Sequence, residues 1–381
     1  MRAIGLISGT SIDGIDAALI EIVPRGESYQ VELLRFELVA FDADMLADLR
    51  SALPPNVPSL ECATSLDRRL GVAFAEAAAR VAEGPIDFAG SHGQTLWHDG
   101  ARSLTVQIGD PYAIRDRLHA TVCFDFRTAD CVAGGHGAPL VPHVDALLFG
   151  DPAEDRVAIN IGGIANVTAL PKGRAQAAYA YDTGPGNMLL DAFVRSRSNG
   201  AASMDRDGAL AAHGRVDETV LGTMLQDQYF TQPFPKSTGR EHFGEPFLAR
   251  CRDGLGALSD ADGAATLTEL TARTVAQAIA ATGFHAPRAI VSGGGTLNPS
   301  LLRRLAHNAP HARIETSDRH GIPSDAKEAI AFAILAYETL RGRSANVPAA
   351  TGATRATVLG AIVPHELSNL LERMERECRP T

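Results

Sequence analysis

The chain opens with two apolar runs, Ile4 to Ile7 and Ile15 to Ile22, separated by the small and polar residues Ser8-Gly9-Thr10-Ser11-Ile12-Asp13-Gly14. That pattern predicts a β-hairpin with no bulky side chain in its turn beyond Ile12. Val31 to Phe41 predicts a third strand. Leu66, Leu70, Phe74, Ala77 and Val81 recur at helical spacing, so Cys62 to Glu83 predicts a helix that stops at Gly84-Pro85. A short buried strand, Ile86 to Gly90, runs into Ser91-His92-Gly93-Gln94-Thr95. Polar residues at the carboxyl end of a buried strand are where α/β sheets place ligands. Leu104 to Ile108 reads as a strand, and Asp110-Pro111 as the cap and first turn of a helix to Leu118. The strand Thr121 to Phe124 ends in Asp125-Phe126-Arg127-Thr128-Ala129-Asp130, and Gly134 to Leu140 is too glycine-rich for a regular element. Val144 to Phe149 predicts a short crossover helix.

At Val157 the opening pattern returns. Val157 to Ile161, Gly162-Gly163, and Ile164 to Leu170 form strand, glycine turn and strand again. One such copy near the start of each half predicts a duplicated fold with two phosphate-gripping hairpins. Tyr179 to Tyr181 predicts a strand ending in Asp182-Thr183-Gly184-Pro185-Gly186-Asn187, before a helix from Met188 to Arg195. Arg197 to Gly244 shows no period and reads as irregular. Ala265 to Ala281 is amphipathic, and the strand Ala289 to Ser292 leads into Gly293-Gly294-Gly295, with a helix from Ser300. Asp325 to Leu340 predicts a long helix, Thr357 to Leu359 a strand, and the remainder a charged terminal helix.

Composition narrows this little. A chain of 381 residues is long for one core, so two domains are expected, residues 1–150 with 345–381 and residues 151–344. With 45% hydrophobic and 21% charged residues it reads as a soluble globular protein. A net charge of −10 and no basic–aromatic cluster argue against a nucleic-acid partner. No apolar run approaches the ~20 residues that span a bilayer. Five scattered cysteines, without C-x-x-C spacing or a leader ahead of the first strand, point to a reducing cytoplasm.

The chemistry suggested by the turns has two readings each. Gly9, Thr10, Ser11 and Gly14 can wrap a phosphate with backbone amides, or form an ordinary polar hairpin tip. No G-x-x-x-x-G-K-[ST] loop occurs. Gly293 to Gly295 lets a base or ribose lie on bare backbone, or serves tight helix–strand packing. Asp182 is a candidate base at a strand end, or a helix N-cap. Taken together, the features point to ATP held by a duplicated α/β fold.

Seven stretches resemble one family when read in order. They are Gly9 to Asp16, Ser91 to Thr95, Gly135 to Pro142, Asn160 to Asn166, Asp182 to Asn187, Pro235 to Glu241 and Ser292 to Gly295. Residues 5 to about 363 thereby resemble the anhydro-N-acetylmuramic acid kinases. The resemblance implies the duplicated two-lobe ribonuclease-H-like α/β fold of the sugar kinase, Hsp70 and actin superfamily, with an interlobe cleft. It implies hydrolytic opening of the 1,6-anhydro bond of anhydro-N-acetylmuramic acid and ATP-dependent phosphorylation of O6, with Mg²⁺, in cytoplasmic cell-wall sugar recycling. A homodimer is a candidate assembly. On this reading Asp182 is the catalytic base, and Gly9, Thr10, Ser11, Asp13, Gly14, Asp16, Gly162, Gly163, Asn166, Gly293, Gly294, Gly295 and Asn298 hold ATP. His92, Gly93, Gln94, Gly137, Pro139, Thr183, Gly184 and Glu328 lie beside the sugar. Ile12, Phe234 and His136 depart from the commonest family residues. Ile7 stands where many superfamily kinases have an Asp, which leaves Asp13 as the candidate Mg²⁺ ligand.

Three rivals remain at this level. Another sugar or acetate kinase of the superfamily would differ in phosphate acceptor. An ATP-switched chaperone or repressor would need a peptide-binding or helix-turn-helix appendage, and neither pattern occurs. A metallohydrolase using His92, His98, His136, His143 and Asp145 matches no ligand spacing.

Overall fold

The computed structural model describes the chain except residues 10–11, 26–27, 55, 175–178, 235 and 379–381. It divides into two compact units, residues 1–144 with 326–381 and residues 145–325. The first unit begins with β1 (Arg2–Ser8), β2 (Gly14–Arg25) and β3 (Ser28–Ala40), successive antiparallel neighbours. Helix α1 (Ala43–Ala52) follows, capped by the Asp42 carboxylate on the Met45 amide. It buries only Met45, Leu49 and Ala52, too few apolar positions to announce it in the sequence. Ser59 caps α2 (Leu60–Val81), whose buried face carries the expected Leu66, Leu70, Phe74, Ala77 and Val81.

Strand β4 (Phe88–Asp99) is longer than the expected Ile86–Gly90. It runs parallel to β1 as far as Gln94, then pairs antiparallel with β5 (Leu104–Ile108). The polar stretch Ser91 to Thr95 is therefore strand, paired with β1 at Ser91 and Gln94 and with β5 at Gln94 and Thr95. Helix α3 (Pro111–Leu118), β6 (Thr121–Phe124), α4 (Thr128–Val132) and α5 (Val141–Phe149) complete the first passage.

The second unit repeats the plan with β7 (Arg156–Ile161), β8 (Ile164–Leu170) and β9 (Tyr179–Pro185). Helix α6 (Met188–Arg197) follows. The segment expected to be irregular holds α7 (Ala209–His213), α8 (Glu218–Leu225) and α9 (Arg240–Phe243), followed by α10 (Glu245–Arg250) and α11 (Arg252–Ala257). Each is too short to display a period, yet Leu221, Met224, Tyr229, Phe243 and Phe247 build a core with Leu189, Phe193 and Leu267. Helix α12 (Asp260–Ala281), β10 (Arg288–Ser292), α13 (Pro299–Asn308) and β11 (Arg313–Thr316) close the unit.

The sheet orders are β9-β8-β7-β10-β11 and β3-β2-β1-β4-β6, with β12 beyond β6. In both, the first three strands are antiparallel and the next two join in parallel. This is the ribonuclease-H-like order, present twice.

The expected return to the first unit at residue 345 falls instead at 326, so α14 (Lys327–Leu340) belongs to the first unit. The reason is a flat seat. Gly5 and Gly90 face each other across β1 and β4, and a Cβ on either would lie within about 2 Å of α14 backbone oxygens. Ala329, Ala333 and Ala336 keep the helix surface equally bare. Helix α15 (Pro348–Thr351), β12 (Ala361–Val363) and α16 (Leu367–Cys378) follow. β12 pairs with β6 from residue 361 rather than from the expected 357.

Candidate active site

In the first unit, the β1–β2 turn carries the expected phosphate hairpin, of which Thr10 and Ser11 lie outside the described residues. The turn is shaped by residues other than its glycines. Ile12 adopts φ 56° with its side chain buried in the core, an unusual conformation for a β-branched residue. Gly14 keeps ordinary φ, and its missing Cβ would meet the Val39 carbonyl at 2.4 Å. Close packing on β3 therefore explains Gly14 without a ligand. Asp13 is exposed, and its carbonyl accepts from Phe41 N. Asp16 stands between Ile7 and Leu38 in the ladder.

The sugar-side residues of the same unit converge on an arginine absent from the expected set. Arg127 Nε donates to His92 Nε2 at 2.9 Å, and Arg127 Nη1 donates to the Gly137 carbonyl at 2.7 Å. A guanidinium only donates, so His92 Nε2 carries the lone pair and Nδ1–H donates to the Gly93 carbonyl at 2.9 Å. Burial first and Arg127 second push the His92 pKa well below its ordinary value. His92 is thus a neutral, fully engaged ring lying tilted against Phe332, with centroids 4.6 Å apart. Gly137 (φ 71°) is held in turn by its amide on Asp130 Oδ2, at 2.8 Å. Asp130 Oδ1 accepts from Asn346 and Thr351, both at 2.8 Å. Ala138–Pro139 is a cis peptide. Gln94 is buried and accepts from the Ser8 hydroxyl at 2.6 Å. Glu328, in the first turn of α14, acts electrostatically on Arg127.

A second histidine, half-buried, should make stability depend on pH. His143 Nε2 lies 4.0 Å from Glu338 Oε2, and burial pushes its pKa down to about 4. Burial pushes Glu338 upward instead. A base whose folded pKa lies below its unfolded value contributes stability above about pH 6.5, and that contribution fades as pH falls towards 4. Each such group costs up to about 1.4 kcal/mol per pH unit in that window. Glu338 works in the opposite sense, so the comparison must isolate His143. His143→Gln should lose about 1–1.5 kcal/mol less than the parent between pH 7.5 and 5.5 by urea titration. Parallel losses would remove His143 from the acid response.

In the second unit, Asp182 lies within β9, and α6 is preceded by Asn187, so Asp182 is not its N-cap. Thr238 N donates to Asp182 Oδ2 at 3.0 Å, Asp182 N to the Lys236 carbonyl at 3.2 Å, and the Tyr229 hydroxyl to the Asp182 carbonyl at 2.7 Å. Lys236 Nζ caps the Tyr229 carbonyl at 2.9 Å and stands 4.6 Å above the Tyr229 ring centroid. Tyr229 and the Lys236–Thr238 segment thus brace Asp182 from one side, although neither was among the expected site residues. Ladder partners place Ser292, Asn160, Asn166 and Asp182 in one row across β10, β7, β8 and β9. Asn160 and Ser292 are the members of that row missing from the expected set.

Other expected residues have structural partners. The Thr183 hydroxyl is buried on the Ala165 carbonyl at 3.2 Å, and a Cβ on Gly184 would strike Phe230. The second hairpin turn is only two residues long. Its Gly162 and Gly163 carbonyls accept from Asn187 N and Gly186 N, both at 2.8 Å, which docks the start of α6. Gly293 and Gly295 pack against Ile161 at the end of β7, whereas a Cβ on Gly294 would meet nothing closer than 3.8 Å. Asn298 caps α13 through Leu301 N.

The anhydro-N-acetylmuramic acid kinase family model matches residues 1–365. A relative from Caldanaerobacter subterraneus bearing that name is 40% identical, covering 94% of this chain and 96% of its own. Another, from Streptomyces avermitilis, is 43% identical over 96% of this chain and 94% of its own. Among solved structures, a ROK family glucokinase from Streptomyces griseus with glucose and AMPPNP is similar at TM-score 0.39 and 12% identity, covering 87% of this chain and 98% of that one. No described helix is long and apolar enough to cross a membrane. The sequence match is strong over nearly the whole length of both chains, and this chain belongs to the anhydro-N-acetylmuramic acid kinase family, whose members are ATP-dependent sugar kinases.

Proposed function

We propose that the protein opens the 1,6-anhydro bond of anhydro-N-acetylmuramic acid with water and phosphorylates O6 from ATP, giving N-acetylmuramic acid 6-phosphate and ADP in cytoplasmic recycling of cell-wall sugar. The observation that carries this reading is the match of the kinase family over residues 1–365. Water forms a bond to the anomeric carbon and gives its proton to the Asp182 carboxylate. The anomeric carbon releases O6, which bonds to the γ-phosphorus as ADP leaves. A placed general base contributes ~10²–10⁴-fold. Asp182 suits that role because a backbone amide, Thr238 N, holds one carboxylate oxygen in place. The amides of the β1–β2 turn orient the phosphates, and Gly294 offers bare backbone to the adenosine.

Among the described residues no three His, Cys, Asp or Glu side chains gather as a metal cage. Nucleotide-borne Mg²⁺ needs none, since it takes one or two carboxylates with phosphate and water oxygens, and exposed Asp13 in the phosphate turn fits that donor set. When bound, Mg²⁺ would neutralise charge on the transferring phosphoryl. A coupled ADP-release assay tests the whole reading. Turnover is expected with anhydro-N-acetylmuramic acid, and little with glucose, N-acetylglucosamine or acetate. Faster turnover on any of those three would replace this reading with that of a neighbouring kinase. The same preparation run in a sizing column would establish whether the enzyme is the homodimer considered above.

A further inference from the structure

Asp182 is braced by a segment that has no helix or strand of its own. β9 is the last strand of its sheet, so one of its edges has no strand partner. At that edge the Lys236 carbonyl accepts from Asp182 N at 3.2 Å, and Thr238 N donates to Asp182 Oδ2 at 3.0 Å. The side chains nearby do little to fix that amide. Gln232, Pro233 and Ser237 are exposed, and the Thr238 hydroxyl is buried without a hydrogen-bond partner.

Two anchors hold the segment instead. Lys236 Nζ donates to the Tyr229 carbonyl at 2.9 Å and stands 5.5 Å from the Tyr181 ring centroid. Phe234 supplies the second anchor. Tyr179 and Tyr181, two positions apart, share one face of β9, with their ring planes 23° apart. The Phe234 ring lies across both of them. Its centroid is 4.6 Å from Tyr179 and 5.5 Å from Tyr181, at interplanar angles of 18° and 5°. Those separations are those of stacked rings. Phe234 nevertheless remains 48% exposed, so it fills no core. An exposed ring held flat against a strand fixes the segment that carries it.

We propose that Phe234 is a positioning residue for Asp182, its stack on Tyr179 and Tyr181 keeping Lys236 to Thr238 in register with β9 and Thr238 N on the carboxylate. The proposal rests on the reading of Asp182 as the base and adds the contact that aims it. Without the ring the segment gains conformational freedom, and the carboxylate loses its fixed donor. A base that is misplaced for part of the time slows the chemical step and leaves binding alone.

The test is a double-mutant cycle on Phe234→Ala and Asp182→Asn, assayed with anhydro-N-acetylmuramic acid and ATP below the lowest melting temperature of the set. Phe234→Ala should lower kcat roughly 10-fold, with KM for both substrates held within about two-fold. Phe234→Tyr restores the ring and should recover most of that loss. In the Asp182→Asn enzyme the same alanine change should cost less than about two-fold, because no base remains to be aimed. Phe234→Leu, which keeps apolar bulk without a flat face, carries the cycle if the alanine enzyme does not fold. Equal losses on both backgrounds would make Phe234 a general structural residue and overturn the proposal. Parental kcat in Phe234→Ala, or no recovery in Phe234→Tyr, would overturn it as well. A parent enzyme that does not turn over the sugar would sink the kinase reading, and near-normal turnover in Asp182→Asn would sink the base. Either takes this proposal with it, and neither resembles an additive cycle.

Discussion

Asp182→Asn should lower kcat by at least ~10²-fold, about 2.7 kcal/mol of transition-state stabilisation, while KM for ATP changes little. The substitution is close to silent in structural terms. Asp182 sits inside β9 rather than at a helix end, so no cap is lost. The amide oxygen of Asn can still accept from Thr238 N, and the backbone contacts to Lys236 and Tyr229 are untouched. What disappears is basicity, since an amide cannot take a proton from the attacking water. Melting temperature should therefore stay within a degree or two of the parent. Near-normal turnover in a folded Asp182→Asn enzyme would remove this residue from the mechanism. A large fall in melting temperature would instead mean that the carboxylate is structural.

The fold was legible because duplication leaves a repeated signature. The Ile4–Ile22 and Val157–Leu170 patterns each mark the antiparallel start of a sheet, and both sheets have the order that follows from it. The helices of residues 209–257 escaped notice because four to eight residues cannot show a 3.6 period. The site was legible only in part, for a different reason. Glycine in a turn announces that a side chain is unwelcome, but not what excludes it. At Gly14 the excluding group is the Val39 carbonyl, at Gly184 the Phe230 ring, and at Gly295 the Ile161 side chain. A Gly14→Val variant would consequently report on the β2–β3 ladder before it reported on nucleotide. Arg127 and Asn160 were missed because their importance lies in what they meet. Arg127 meets His92 from 35 positions away, and Asn160 joins a row that only sheet register assembles.

Gly5→Ala should be among the most damaging single-methyl changes in the first unit. Its new Cβ would sit 1.8 Å from the Ala329 carbonyl oxygen and 2.9 Å from Ala333 N, both backbone atoms of α14 that no rotamer change can move aside. The strand is fixed by neighbours on both edges, β2 and β4, so the helix must lift. Lifting it opens the contact between Gly90 and Phe332, whose ring supports His92. Overpacking of a rigid core costs about 1–3 kcal/mol and more where backbone must shift, which corresponds to a fall of roughly 10 °C in melting temperature for a unit of this size. Activity should fall as well, because α14 carries Glu328 and underlies the His92–Arg127 pair. Gly222→Ala provides the control: it adds the same methyl in α8, where a Cβ meets nothing within 4 Å, and should gain about 0.5–1 kcal/mol from helix propensity. If Gly5→Ala melted with the parent, the close seating of α14 on the paired glycines would be wrong.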